Sequence, residues 1–97
     1  MPIRLFAAML LLALTCAGAS AAEPTFEPQI DLPGFDYRNF DLLQPRPRLC
    51  EQACLADDKC RAWTFVQTGV LGPVASCWLK SGVAEKKSNP CCISGVR

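Results

Sequence analysis

Leu49-Cys50-Glu51-Gln52-Ala53-Cys54-Leu55-Ala56-Asp57-Asp58-Lys59-Cys60-Arg61-Ala62-Trp63-Thr64-Phe65-Val66 changes its apolar period half-way along. Up to Ala56 the apolar side chains Leu49, Cys50, Ala53 and Cys54 recur at i, i+3, i+4 spacing, the pattern of a helix packed on one face. Asp57-Asp58-Lys59 is a polar turn. Beyond it Trp63 and Phe65 alternate against Ala62, Thr64 and Val66, and aromatic and β-branched residues in that period make a strand with both faces partly buried. A helix that runs straight into a buried strand points to an α+β fold.

The same reading extends in both directions. Gln67 to Ala75 holds Gly69 and Gly72-Pro73, too long for a two-residue turn, so Ser76-Cys77-Trp78-Leu79-Lys80 returns as a hairpin partner. Ser81 to Pro90 reads as a polar loop, and Cys92 to Arg97 as a last short strand. Upstream, Gln44-Pro45-Arg46-Pro47-Arg48 is a stiff link that also suits the first turn of a helix. Phe35 to Leu42 is aromatic enough for a strand, although its two faces are not cleanly sorted. Pro33-Gly34 is a turn, and residues 23–33, with three prolines, read as an extended N-terminal arm or a lead-in to a first strand.

Composition limits the chemistry. The chain of 97 residues has no His, which excludes Ser-His-Asp and Cys-His triads, His-ligated zinc and His-held haem. Ten basic residues face nine acidic ones, without the basic excess that nucleic acid requires. Much of the apolar content lies in Leu5 to Leu14, between a positive start at Arg4 and the small residues 17–22. That layout is a secretory signal peptide over residues 1–22, too short in its apolar part for a membrane span. Cleavage after Ala22 fits best, with Ala21 and Ala19 as neighbouring alternatives. Cys16 lies in a poor lipidation context, because Ala13-Leu14-Thr15 precede it.

Cleavage leaves basic and acidic residues in balance and six cysteines: Cys50, Cys54, Cys60, Cys77, Cys91 and Cys92. An even number beyond a secretory signal, in a domain too small for a self-sufficient core, reads as a disulfide set. No CxxC occurs, so zinc is the weaker reading; no metal and no cofactor are expected.

The spacing Cys50-x3-Cys54-x5-Cys60, the strand Ala62-Trp63-Thr64-Phe65-Val66 and Cys77-Trp78-Leu79-Lys80 together resemble the apple/PAN domain family. The segments 34–42 and 91–96 are similar to its short secreted bacterial branch, so the resemblance covers residues 34–97. It implies a curved antiparallel sheet cradling one helix, bridges Cys50–Cys77 and Cys54–Cys60, and a non-catalytic module that recognises protein or carbohydrate. Cys50 and Cys54 stand one helical turn apart on one face, which agrees with that pairing. In the chain-entropy account the longer ring contributes about 3.6 kcal/mol and the shorter about 2.3. Cys91-Cys92 has no counterpart upstream of Cys50. These two bond each other, bond another chain, stay free, or exchange with a helix cysteine; adjacent Cα atoms stand about 3.8 Å apart, closer than ordinary bridges.

Other features have plainer readings beside the functional one. Trp63, Phe65 and Trp78 suit a carbohydrate platform, but in a small domain are more often core. Asp57-Asp58 suits Ca²⁺ but is more often a turn. Arg46, Arg48, Lys59 and Arg61 suit an acidic glycan but are more often a solvated surface. The apolar residues Val70, Leu71 and Val74 are unusual in a solvent loop and mark a candidate ligand contact, unless they fold back over the sheet. The expected function is therefore an extracytoplasmic (secreted or periplasmic) binding module, without membrane span or nucleic-acid partner. The alternative is a small thiol-disulfide redox protein using Cys91-Cys92; a hydrolase would need paired carboxylates in a cleft.

Overall fold

The computed structural model describes residues 26–97. The signal segment, its cleavage site and Cys16 lie outside the described residues. The elements run β1 (Phe26–Asp31), β2 (Asp36–Leu42), α1 (Pro47–Leu55), β3 (Ala62–Val66), β4 (Ala75–Lys80) and β5 (Lys87–Val96). The strands form one antiparallel sheet in the order β1-β5-β3-β4-β2, with α1 against β3 and β4. This is the α+β arrangement anticipated from the helix-to-strand change of period.

α1 is weak by itself. It has nine residues, no side-chain N-cap at Arg46, and neither acidic residues in its first turn nor basic ones in its last. A helix that short is marginal in water, so tertiary contacts hold it. Cys50 bonds Cys77 in β4 and Cys54 bonds Cys60 just before β3, with Cα separations of 5.4 and 5.1 Å, inside the ordinary range. The Arg97 guanidinium caps the other end, donating to the Cys54 carbonyl at 3.2 Å and the Asp57 carbonyl at 2.7 Å.

Strand period then sorts the two faces of the sheet. Trp63, Phe65, Cys77, Leu79, Ala75 and Leu42 form the core with the helix cysteines. Trp63 meets Phe26 edge to face at 5.7 Å and lies over Gly95, where a Cβ would stand 2.6 Å from the indole. Only glycine allows that approach. The blurred faces of β2 have a cause: its pairing with β4 slips between Asp36 and Arg38, so Tyr37 is bulged and Phe40 and Leu42 turn toward the helix side.

Two expectations change. Of the stretch 23–33, expected as an extended arm or a lead-in to a first strand, Phe26–Asp31 is itself an edge strand of the sheet. Pro28 is tolerated because an edge strand uses its ladder groups on one side only. The loop expected from Ser81 to Pro90 ends early, with β5 beginning at Lys87. Pro90 fits there because the β1 register skips from Ile93 to Ser88 and β3 pairing stops at Cys92, so its missing N–H breaks no ladder bond.

Because β1 and β2 are opposite edges, residues 32–35 must cross the sheet. They do so on the face away from α1. Leu32 is buried there, Gly34 takes a φ of 121° that an L side chain rarely adopts, and the Phe35 carbonyl accepts from the Ser81 N–H at 2.9 Å. Lys80, only 2% exposed, fastens this strap: its ammonium donates to the Gly34 carbonyl at 3.3 Å and the Asp36 carboxylate at 2.6 Å. Thr64, bonded to Ser94 at 2.8 Å, and Ser94, donating to the Ile30 carbonyl at 2.7 Å, hold the other end.

Removing the longer bridge by Cys50→Ser with Cys77→Ser should cost about 2–5 kcal/mol in urea denaturation. Asp36→Ala should cost about 2 kcal/mol, because it leaves a buried ammonium without its counter-charge. Lys80→Met should cost less, since it removes the charge along with the need for a partner. Equal losses would mean the ion pair does not hold the strap.

Candidate functional site

The face opposite α1 is where the sheet meets the strap on one side and the 67–75 loop on the other. Between them lies an open groove of about 450 Å³. Thr64, Val66 and Trp78 line it from the sheet, Pro33 and Gly34 from the strap, and Val70 and Leu71 from the loop. A second groove of about 300 Å³ lies beside it, and Leu71 and Trp78 line both.

The loop is built rather than loose. Gly69 takes a φ of 86°, its N–H bonds the Gly72 carbonyl at 2.9 Å, and the Val70 N–H bonds the Gln67 carbonyl at 3.3 Å. The Gln67 N–H donates to the Cys91 carbonyl at 3.0 Å, which ties the loop to β5. Val70, Leu71 and Val74 are 49%, 65% and 39% exposed, so they do not fold into a core. Val70 and Leu71 reach the first groove, and Leu71 and Val74 the second.

Cys91 and Cys92 also line the first groove, and their sulfurs are bonded to each other, with Cα atoms 3.7 Å apart. The Asn89 side-chain carbonyl accepts the Cys91 N–H at 3.0 Å and fixes the turn of chain that carries them.

The three aromatic residues considered as a platform separate. Trp63 and Phe65 are core on the helix side, while Trp78, half-buried, faces the grooves. The period of β4 carries that signal, because Trp78 lies out of phase with Cys77 and Leu79. Its indole N–H donates to the Ser76 hydroxyl at 3.1 Å, which leaves the ring as the part open to a ligand. The contribution of the strap, by contrast, had no signal beyond a proline-glycine pair.

Asp57 is engaged as a turn. Its carboxylate accepts the Lys59 N–H at 3.0 Å and stands 3.9 Å from the Arg38 guanidinium. The Lys59 N–H, then the Tyr37 hydroxyl, then the Arg38 charge hold it below the usual carboxylate range. The Tyr37 hydroxyl is buried against this carboxylate outside strict hydrogen-bond geometry, and burial first, Asp57 second, push that phenol up. Arg46, Arg48, Lys59 and Arg61 line neither groove. Among the described residues no three metal-ligating side chains gather, and no helix is long and apolar enough to cross a membrane.

A family model of the PAN domain matches residues 30–80, more than half of the chain. The chain belongs to the PAN domain family. The match runs from the end of β1 through the strap, α1 and the hairpin to Lys80, so it takes in the loop and Trp78. It stops short of β5 and the Cys91-Cys92 pair of this PAN domain. No curated protein and no solved structure matches the chain.

The depressed Asp57 carboxyl predicts an acid-side effect. Its contribution to stability is present above the ordinary carboxylate pKa of about 4 and is lost as pH falls through the lower folded value. Asp57→Asn should therefore lower the urea midpoint at neutral pH and leave the two proteins alike near pH 2. A gap that persists at that pH would assign the effect to packing.

Proposed function

We propose that this PAN domain is an exported, non-catalytic binding module, secreted or periplasmic, that recognises protein or carbohydrate at the grooved face. The observation that carries the reading is the pairing of exposed Val70 and Leu71 with Trp78 around one groove. Apolar side chains held on an ordered loop, beside an aromatic floor and a few polar groups, are the usual make-up of a ligand site. Membership of a family of binding modules supports it, and the three bridges suit an oxidising compartment.

The redox alternative is weaker. Cys92 is 2% exposed, so Cys91 alone is open to a partner thiol, and Lys80, the basic residue lining that groove, is committed to Asp36 rather than to a thiolate. A hydrolase would need two free carboxylates facing each other across one cleft; Asp36 is committed to Lys80, which leaves Asp31 alone in the first groove and Asp41 alone in the second.

The double substitution Val70→Ser with Leu71→Ser tests the site. Immobilised wild-type protein should retain a glycan or protein from an extracytoplasmic extract, and the variant should lose it with its melting temperature unchanged. Undiminished retention, or a large fall in melting temperature, would remove the loop from the binding surface.

A further inference from the structure

We propose that the ligand is an oligosaccharide without acidic groups, lying across both grooves with one sugar ring against Trp78. This rests on the reading of the grooved face as the binding site and narrows what it takes.

Three observations lead to it. The grooves adjoin at Trp78 and Leu71, so one extended ligand can occupy both while passing beneath the loop. Trp78 has its N–H satisfied by Ser76, and what remains is a flat apolar ring of the kind that packs on the C–H face of a pyranose. Asn39 is the cross-strand neighbour of Trp78, and Asp41 that of Ser76, so an amide and a carboxylate stand beside the ring to accept sugar hydroxyls. In the first groove Asp31 offers a further acceptor, and Asn89, whose carbonyl holds the Cys91 N–H, offers its amide N–H groups as donors.

Charge decides the class of sugar. Among the described residues Lys80 is the one basic residue lining the two grooves, and its ammonium is already held by Asp36 and Gly34. Asp31 and Asp41 would repel a uronic acid or sulfate, while they tolerate a neutral sugar and favour an amino sugar. The basic residues that would draw an acidic glycan sit at the ends of α1 and line neither groove. A peptide is the less suited occupant. The floor of the first groove is the sheet face, where the N–H and C=O groups of β3 and β4 are consumed by the ladder, so an extended peptide lying in it finds no backbone groups to pair with.

The oxidised protein should be titrated calorimetrically with tetramers of N-acetylglucosamine, glucosamine and galacturonic acid, and with tetralysine. The first two should bind and the acidic tetramer should not. Trp78→Ala should weaken binding at least tenfold with the fold intact by circular dichroism. Should that variant unfold, Asp41→Lys at the exposed edge of β2 serves instead: it should weaken the glucosamine tetramer at least tenfold. Binding of the galacturonic acid tetramer as tight as the neutral one, binding of tetralysine alone, or unchanged affinity in these variants would overturn the proposal. If no saccharide binds while Val70→Ser with Leu71→Ser still abolishes capture of the native partner, the groove stands and the saccharide assignment falls.

Discussion

The bond from Cys50 to Cys77 gives the sheet two different faces. α1 is nine residues long and lacks a side-chain cap, and such a segment would not hold its place by helix propensity. The bridge sets it over β4, and Cys54–Cys60 anchors its other end beside the start of β3. Once α1 covers Trp63, Phe65 and Leu79, that side is closed. Every further element that needs cover or offers contact must use the other side.

The second face is covered by chain without regular structure. Ala62, Thr64, Cys92 and Ser94 lie buried there although no helix packs on them. Their cover includes the strap, which exists because β1 and β2 are opposite edges joined by a short link. Lys80 shows the consequence. A lysine in the interior is costly unless paired, and here one ammonium satisfies both a backbone carbonyl and the Asp36 carboxylate, fixing where the strap ends. The strap therefore serves as cover for one part of the face and as wall for the groove beside it.

The groove is composite. Its walls come from the strap, the 67–75 loop and the Cys91-Cys92 segment, with β3 and β4 beneath. The Gln67–Cys91 hydrogen bond joins two of these walls directly. The PAN match ends at Lys80, so one wall belongs to sequence beyond the matched stretch. The groove thus draws on both the matched part of the domain and the part outside the match.

How much was legible follows from the range of each interaction. α1, β3 and β4 were readable because period 3.6, period 2 and the cysteine spacing are local patterns, and the resemblance to the PAN family supplied the pairing. Val70 and Leu71 stood out because apolar residues in a glycine-rich loop are locally anomalous. The role of Phe26–Asp31 was hidden, since an edge strand containing Pro28 is recognised by what it pairs with, 56 to 69 residues away in β5. The blurred pattern of β2 likewise became clear only with its bulge against β4. Sequence by itself determined the helix, the hairpin and the candidate loop, because each depends on residues within a few positions of one another. Only the tertiary structure decided that Trp63 and Trp78 face opposite sides, that the strap crosses the sheet, and that Asp31, Trp78 and Asn89 share one groove. Strand order and the side taken by α1 set those, and neither is written in any local period.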